Sequence, residues 1–426
     1  MIHIEDINVR STLMRCGVGL EKESLRITAD GFMAGTPHPF PDDPEIVTDF
    51  CENQVEINLP AAETPEDAVG LLQEYTDKIS ERLRLLPEPE YLWPFSNPPY
   101  LRGEEDVPIA AGKRSRKTSY REYLSRRYGR YMMTLSGIHY NYSFSNELLM
   151  SDLLAARKAG EVGDITPREY RDRFYLHLAK RALQYNWLIV AITAASPLVD
   201  SSYVDSGMTG YDVFNGMGST RCSAVGYWNC FAPEIDYDSI EAYADSIQKY
   251  IEQGLIRNPA ELFFPVRIKP IGKYDIESFK KKGIGRIELR MIDLNPLSPS
   301  GIDLRDAQFL QLFLIWLASL PEIRFDMPAQ IKAVHNTKDA AYYYLEKMKI
   351  QDSDGEVTDI STAALRALAQ MRSFYWKVWE WEDLGKIEGL IRYQEMKFRH
   401  PENRYAWKIR NMFGGGVVKK GLEYIR

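Results

Sequence analysis

The chain has 426 residues, 27% of them charged, and its 53 basic and 60 acidic residues give a net charge of −7 at pH 7. A mildly acidic balance argues against a general nucleic-acid-binding surface. The longest apolar stretches, near 187–195 and 309–320, are too short for a membrane span, which needs about 20 apolar residues.

The N-terminal sequence MIHIEDINVRST lacks the basic start and apolar core of a signal peptide. The cysteines are few and irregularly spaced, without a CxxC pair, which favours reduced thiols over a disulfide framework. They are Cys16, Cys51, Cys222 and Cys230. These features predict a cytoplasmic protein that acts on small molecules rather than on membranes or nucleic acids, and they assign no oligomeric state.

Acidic residues occur in two segments that are predicted to contain strands. In GLEKESLRIT, Glu21 and Glu23 are two residues apart, so a strand directs both side chains to one face. In TDFCENQVEIN, Asp49 precedes a strand in which Glu56 faces away from its apolar neighbours. Because strands are depleted in acids and a buried carboxylate is costly, we expect a positive group to meet these side chains.

A basic cluster follows in the sequence KRSRK. Its members are Lys113, Arg114, Arg116 and Lys117. A run of like charges is typical of a solvated loop, and the alternative interpretation is a mobile lid that reaches nucleotide phosphates.

His139 in SGIHYN and Glu288 in RIELRMIDLNP complete a set of hard metal ligands. Taken singly, each acid is typical of a solvated strand face, and the histidine is typical of a packed core. Five carboxylates and one imidazole together suit Mg²⁺ that also holds substrate phosphates, with Mn²⁺ as a substitute. The full set is Glu21, Glu23, Asp49, Glu56, His139 and Glu288. Their convergence would indicate a site that handles ATP.

Two helices have clear boundaries in the sequence. The residues TPRE at 166–169 supply an N-cap threonine, a first-turn proline and a capping-box glutamate, and Pro197 is expected to end that helix. Another helix is predicted to begin near Asp303 and to stop before Pro321. Because the acid-bearing strands do not alternate with helices in a regular βαβ series, we predict an α+β fold.

Six segments occur in the order of the motifs of bacterial glutamate–cysteine ligases, a family that the chain resembles. The resemblance is strongest to the ligase half of the bifunctional glutathione-synthesising enzymes. The segments are GLEKESLRIT, TDFCENQVEI, YLWPFSNPPY, YREYLSRRYG, SGIHYNYSFS and IELRMIDLNPLSPSGI. They run from residue 19 to about residue 302, roughly two thirds of the chain.

The resemblance implies a mostly antiparallel sheet curved into a funnel, similar to that of glutamine synthetase. It implies an ATP-dependent ligase of glutathione biosynthesis that joins the γ-carboxylate of L-glutamate to the amino group of L-cysteine through γ-glutamyl phosphate. The five acids and His139 would hold the divalent ions, and Arg290 would stabilise charge on the transferred phosphoryl group. The alternative for Arg290 is a salt bridge to its neighbours.

The segment STRCSAVGYWN resembles the family's arginine-containing segment that ends in Gly-Tyr. Arg221 would therefore hold a substrate carboxylate, because a planar guanidinium binds carboxylates bidentately. A surface arginine is the alternative. By resemblance to the enterobacterial branch, six residues would line the acceptor pocket: Phe50, Tyr120, Leu124, Met133, Tyr227 and Phe263.

Two of these positions depart from the enterobacterial pattern. Met133 stands where that branch has glutamine, and Phe263 stands where it has tyrosine. A pocket that loses polar groups discriminates less in favour of a polar acceptor. Cysteine is the first choice, and a small apolar amino acid such as 2-aminobutyrate is the alternative. A catalytically silent homologue that binds a nucleotide or an amino acid is a further alternative, against which the intact ligand set argues.

We expect residues 1–426 to form a single catalytic ligase domain with a helical C-terminal extension from about residue 325. The segment 361–393 has helical periodicity, and the glycines at 414–416 interrupt the pattern before a short basic end. No motif of the family falls in this tail, so its predicted role is structural.

Overall fold

The alternation of apolar and polar residues in the strand segments builds one central sheet. In the computed structural model, which describes residues 2–111, 115–351, 355–378 and 381–426, the strands are β1 (Cys16–Thr28), β2 (Ile46–Thr48), β3 (Gln54–Asn58), β4 (Glu90–Leu92), β5 (Gly137–Phe144), β6 (Val199–Asp200), β7 (Asp212–Val213), β8 (Val266–Pro270), β9 (Ile284–Asp293), β10 (Lys349–Gln351) and β11 (Val357–Asp359). Within these ranges, seven strands form an antiparallel sheet in the order β2-β3-β1-β5-β9-β8, with β4 paired to β1.

Helices cover one face of this sheet and extend beyond it. In the described ranges they are α1 (Ile7–Thr12), α2 (Pro65–Arg84), α3 (Ser115–Tyr128), α4 (Asn146–Lys158), α5 (Pro167–Thr193), α6 (Ile240–Glu252), α7 (Ile276–Lys282), α8 (Leu304–Ser319), α9 (Met327–Asp339), α10 (Ile360–Val378), α11 (Trp381–Arg399), α12 (Tyr405–Phe413) and α13 (Val417–Ile425). The mixture of helices with an antiparallel sheet confirms the predicted α+β class.

The core lies between the apolar sheet face and α2, α5 and α8. Leu20, Ile57, Tyr140 and Leu289 point into it from four neighbouring strands, and each is almost completely buried. Period-two alternation then directs the intervening polar residues to the opposite face. The core therefore fixes which side chains share the polar face.

The predicted helix boundaries are confirmed. Thr166 accepts a hydrogen bond from the backbone N–H of Glu169, whose carboxylate accepts from the N–H of Thr166 at 2.7 Å, so α5 begins with a capping box. It ends at Thr193, before Pro197. Asp303 caps α8, which ends at Ser319.

The C-terminal tail is helical as predicted, with one difference. The glycines at 414–416 separate α12 from α13, so the basic end of the chain is itself a helix. The Asp212 carboxylate accepts hydrogen bonds from the N–H groups of Gly415, Gly416 and Val417 at 2.6, 2.9 and 2.7 Å. A side chain that is remote in sequence supplies this cap, and sequence periodicity does not reveal it.

The four cysteines all lie in described ranges and are free thiols, as predicted. Among the described residues, no helix has both the length and the apolar character that crossing a membrane requires.

Candidate active site

Charged residues occupy the sheet face that points away from the core. They are Glu56 on β3, Glu21 and Glu23 on β1, His139 on β5, Arg286, Glu288 and Arg290 on β9, and Arg267 and Lys269 on β8. The register places Glu21 opposite His139 and Glu23 opposite Glu56. The acids thus concentrate on β1 and β3, whereas most of the basic residues lie on β8 and β9.

A β-bulge shapes the centre of this face. Ile138 pairs with Ile292 and Tyr140 pairs with Leu289, so β9 places two residues, Arg290 and Met291, opposite the single residue His139. A bulge redirects side chains and is frequent beside functional sites. Here an Arg290 guanidinium nitrogen lies 3.5 Å from Nδ1 of His139.

Three of the predicted metal ligands form one compact group. The ligand atoms of Glu21, His139 and Glu288 all lie within 4.8 Å of one another. Nδ1 of His139 is 3.0 Å from Glu21 and 4.0 Å from Glu288. No described residue forms an aligned hydrogen bond with Nε2 of His139 or with either carboxylate oxygen of Glu288, although these atoms are buried. Buried ligand atoms without aligned hydrogen bonds fit a metal ion, even though cationic side chains lie near Glu288.

The protonation states of this group also suit a metal. Burial, together with the charge of Arg290, lowers the pKa of His139 to about 4, so the imidazole is neutral at neutral pH. Burial alone would raise the pKa of Glu288, but Lys269, Arg290 and Arg267 outweigh it and hold that pKa well below its usual value. Burial likewise opposes ionisation of Glu21, and the hydrogen bond with His139 helps to lower its pKa.

The other three acids, Glu23, Asp49 and Glu56, form a second group in which like charges are poorly compensated. Burial and Asp49 raise the pKa of Glu23 to about 7, against the opposing effect of Arg221 and Arg290. Burial also raises the pKa of Asp49, and it raises that of Glu56 well above its usual value with help from the neighbouring carboxylates. A divalent cation would relieve this repulsion, so the donor set fits a hard metal ion.

The two groups are in contact through Glu23. One of its oxygens lies 3.8 Å from Nε2 of His139, and the other accepts a hydrogen bond from the N–H of Gly137 at 3.1 Å. The six predicted ligands therefore share one region of the sheet face. Instead of a single cluster, they form a compact trio next to a repulsive trio.

Two arginines lie over this region. Arg290 is 3.4 Å from Glu288, so the salt bridge considered for it is present. Arg221 is only 3% exposed, which rules out the surface position considered for it. It donates to the carbonyl of Arg290 at 2.8 Å, and its Nε has no hydrogen-bond partner among the described residues. Its guanidinium lies against Gly137, where a Cβ would come within 2.4 Å of Cζ.

Asp293 at the end of β9 holds the segment that carries Arg221. Its carboxylate accepts hydrogen bonds from the N–H of Ala195 at 2.8 Å and from the hydroxyls of Ser196 and Ser219 at 2.7 and 3.0 Å. Sequence analysis missed this buried carboxylate, because its partners lie in distant loops. It ties the Arg221 segment to the sheet that carries the acids.

The six residues predicted to line the acceptor pocket lie together. Phe50, Leu124, Met133 and Phe263 belong to one buried cluster, and Tyr120 and Tyr227 pack against it. The rings of Tyr227 and Phe263 are 4.4 Å apart. The cluster adjoins the charged region, since Phe50 follows Asp49 and the N–H of Tyr227 donates to the carbonyl of Arg221.

The family model for glutamate-cysteine ligase matches residues 1–257 and 233–339. A bifunctional glutathione biosynthesis protein of Listeria monocytogenes is 36% identical over 430 residues, which cover 98% of this chain and 54% of that protein. The chain belongs to the glutamate–cysteine ligase family. It spans about half the length of the curated relatives it matches.

Solved structures support the family fold. A bifunctional glutathione synthetase from Pasteurella multocida superposes with a TM-score of 0.82 at 25% identity, covering 98% of this chain and 53% of that one. A glutamate–cysteine ligase from Francisella tularensis, solved in complex with AMP, gives a TM-score of 0.82 at 22% identity, covering 97% and 88%.

The family motifs did not point to the basic residues of β8. Lys269 lies 3.1 Å and Arg267 3.8 Å from Glu288, and Arg267 also donates to the carbonyls of Ala260 and Leu262. Their signal was present in the sequence, since VRIKP alternates basic and apolar residues as the acid-bearing strands do.

The basic cluster in KRSRK is described only in part, because Lys113 and Arg114 lie outside the described residues. Arg116 and Lys117 are exposed near the start of α3, and the lid stays a prediction.

We expect Gly137→Ala to force the Arg221 guanidinium from its position. The added methyl overpacks a buried contact, which typically lowers the free energy of unfolding by about 1–3 kcal/mol. Gly19→Ala is the matched control, because it lies on the same face and its Cβ would meet no atom closer than 3.7 Å. Urea denaturation compares the two variants. Equal stability would contradict the close contact with Arg221.

Proposed function

We propose that the chain is an ATP- and Mg²⁺-dependent ligase that joins the γ-carboxylate of L-glutamate to the amino group of L-cysteine through γ-glutamyl phosphate. The observation that carries this proposal is the close group of Glu21, His139 and Glu288 on the face that the family motifs form. Within it, Nε2 of His139 and both carboxylate oxygens of Glu288 are buried and form no aligned hydrogen bond with any described residue. The AMP bound by the similar Francisella ligase and the names of the bifunctional relatives support it.

A carboxylate does not condense with an amine at neutral pH, so the reaction needs an activated acyl group. The glutamate γ-carboxylate attacks the γ-phosphorus of ATP, an O–P bond forms, and ADP leaves. The acceptor amine then attacks the acyl carbon, phosphate leaves with the C–O bond electrons, and the amine loses a proton. Such phosphoryl transfer depends mainly on positioning and charge neutralisation.

In this proposal, the compact group of Glu21, His139 and Glu288 and the group of Glu23, Asp49 and Glu56 would hold the divalent ions. Mg²⁺, when bound there, would neutralise the phosphate oxygens. On the other side of the face, Arg290 and Lys269 lie close to Glu288 and supply positive charge from the chain itself. Charge on the phosphoryl group would thus be neutralised both by divalent ions held by these groups and by the basic side chains of β8 and β9.

Arg221 is proposed to hold a carboxylate of the substrate. A buried guanidinium with an unpartnered Nε retains a donor for such a ligand. Its neighbour Tyr227 faces Phe263 in the aromatic cluster, and this contact supports an acceptor pocket beside the proposed glutamate site. Arg290, between the Arg221 segment and Glu288, is proposed to stabilise charge on the transferred phosphoryl group.

Cysteine is the proposed acceptor because the similar relatives are named for glutathione biosynthesis. Met133 and Phe263 are 4% and 5% exposed, so both departures from the enterobacterial pattern are buried in the aromatic cluster. They make the pocket more apolar without removing the residues around it. The comparisons do not favour an apolar acceptor or a silent homologue.

We further propose that the sheet curves into a funnel and that residues 1–426 act as one catalytic domain. Residues of α12 and α13, including Tyr405, Phe413 and Val417, share a buried cluster with the acceptor-pocket residues. The tail from about residue 325 would therefore help to build the catalytic body. The four free thiols agree with a reducing cytoplasm.

We expect ADP and inorganic phosphate as products when the protein is incubated with ATP, Mg²⁺, L-glutamate and L-cysteine. Phosphorus NMR identifies the phosphate products, and mass spectrometry identifies γ-glutamylcysteine. Turnover should stop when EDTA removes the divalent ions. Formation of AMP and pyrophosphate would overturn the acyl-phosphate mechanism.

Glu288→Gln and Glu21→Gln should each lower turnover by more than about 100-fold, since a lost ligand removes charge stabilisation from the phosphates. They should also weaken Mn²⁺ binding, measured by calorimetry without substrates. Glu66→Gln is the control, because its carboxylate is half-exposed on α2 and pairs with Lys386. Near-parental turnover and Mn²⁺ affinity in a Glu288 variant with parental circular dichroism would refute the metal site.

Restoring polar groups with Met133→Gln and Phe263→Tyr should raise the ratio of kcat/KM for cysteine over 2-aminobutyrate by about tenfold or more. An apolar side chain leaves the new polar atoms unpaired, which costs about 1–3 kcal/mol. Phe264→Tyr is the control, because Phe264 is buried in the main core and lies outside the acceptor cluster. An unchanged ratio would show that Met133 and Phe263 do not line the acceptor pocket.

A further inference from the structure

One buried carboxylate, Glu261, lies outside the metal groups and among aromatic residues. It ends a short 3₁₀ turn, Pro259–Glu261, and is 0% exposed. Burying a carboxylate is costly unless hydrogen bonds and an opposite charge meet it. One oxygen accepts from the hydroxyls of Tyr123 and Tyr128 at 3.0 and 3.1 Å, and the other accepts from the N–H of Arg257 at 2.7 Å.

A cationic side chain completes this environment. Nε of Arg127 lies 3.5 Å from the oxygen of Glu261 that accepts the two phenols. Arg127 also donates to the carbonyl of Leu255 at 2.8 Å, so it joins α3 to the segment that precedes Glu261. Burial raises the pKa of Tyr128 to about 12, and its phenol therefore remains a donor at neutral pH. One carboxylate oxygen of Glu261 thus fastens α3, and the other holds the backbone at Arg257.

The helix fastened in this way is one wall of the proposed acceptor pocket. Tyr120 and Leu124 lie on α3 one turn apart, and Tyr128 follows Leu124 by one further turn, so the three side chains share a helical stripe. The rings of Tyr120 and Tyr123 are stacked at 6.4 Å. A shift of the tyrosines held by Glu261 therefore moves the pocket residues on the same helix.

The same network reaches the opposite wall. The Asn229 side-chain amide donates to the hydroxyl of Tyr128 at 3.1 Å and to the carbonyl of Glu261 at 2.8 Å. Its oxygen accepts from the N–H of Phe263 at 2.8 Å. The Phe263 ring contacts Tyr128 at 5.0 Å and Tyr227 at 4.4 Å. Glu261 is therefore connected to both walls through direct contacts.

We infer that Glu261 is a positioning residue of the acceptor pocket. It sets the spacing between Tyr120 and Leu124 on α3 and the Phe263 wall, and so determines which acceptor side chains fit. This inference rests on the proposed ligase function. It assigns Glu261 no contact with substrate and no part in phosphoryl transfer.

Glu261→Gln tests this role because glutamine has the same size but only one accepting oxygen. If the glutamine oxygen accepts from the N–H of Arg257, its NH₂ group faces the phenols, which must then accept rather than donate. The negative charge that Arg127 meets is also lost. We expect KM for cysteine to rise about tenfold, while KM for ATP and KM for glutamate stay within about twofold of the parent. Selectivity for cysteine over 2-aminobutyrate should fall.

A second variant, Tyr123→Phe combined with Tyr128→Phe, removes the donors while it keeps the carboxylate. It should change KM for cysteine in the same direction, so the inference remains testable if Glu261→Gln folds poorly. Asp152→Asn is the matched control for lost stability. Asp152 is equally buried and accepts a hydrogen bond from the Tyr170 hydroxyl at 2.6 Å, but Tyr170 lies in a separate cluster from the acceptor residues.

Three results would distinguish a positioning role of Glu261 from a purely structural role and from failure of the proposed ligase function. A selective rise in KM for cysteine in the Glu261 and double tyrosine variants, absent in Asp152→Asn, supports the positioning role. Equal changes in all three KM values, or the same change in Asp152→Asn, would overturn it and leave the ligase function standing. Failure of the parent protein to form γ-glutamylcysteine would instead refute the proposed function itself, before any variant is compared.

Discussion

The arrangement of the polar sheet face depends on one constraint, the complete burial of the Glu288 carboxylate. Its strand carries apolar residues on the core face, so alternation directs Glu288 to the other face, where it is 0% exposed. A carboxylate in this position must be compensated by positive charge. Lys269 and Arg267 from β8 and Arg290 from β9 provide that charge at 3.1–3.8 Å. The order of the strands therefore places the cationic side chains where the buried Glu288 carboxylate needs them.

The compensation of carboxylate charge by basic side chains differs across the sheet, and this difference suits the proposed chemistry. Near β8 and β9 the chain itself supplies cations, whereas near β1, β2 and β3 the acids Glu23, Asp49 and Glu56 repel one another. A folded chain tolerates such repulsion when protons or metal ions relieve it. In the proposed ligase, Glu23, Asp49 and Glu56 would hold a metal ion that relieves this repulsion, and the metal would add positive charge to that of the basic side chains.

Much of this face could be predicted from the sequence, because alternation is a local property. The spacing of Glu21 and Glu23, and that of Glu288 and Arg290, indicates a shared face before any fold is known. The family motifs then indicated that acids on strands distant in sequence contribute to the same site. Local patterns cannot show how strands are paired, so they did not reveal the bulge that sets Arg290 against His139.

Local sequence patterns could not predict residues whose hydrogen-bond partners are distant in sequence. Asp293 and Glu261 look like ordinary acids in the sequence, and their roles depend on hydroxyls and N–H groups supplied by distant loops and helices. The burial of Arg221 was equally hidden, since it depends on Gly137 leaving room for the guanidinium. Periodicity identifies the face of a strand, but only the fold identifies what fills the space above it.

Helix α3 connects the two halves of the candidate site. Its Arg121 donates to the carbonyl of Thr48, which precedes Asp49, at 2.7 Å. It also donates to the carbonyl of Ala110 at 3.0 Å, and the N–H of Ala110 donates to the carbonyl of Phe50. Further along the same helix, Tyr123, Arg127 and Tyr128 contact Glu261. A displacement of the helix would therefore disturb both the segment that carries Asp49 and the acceptor wall. Because one helix contacts both, the proposed metal and acceptor sites would depend on the same helix position.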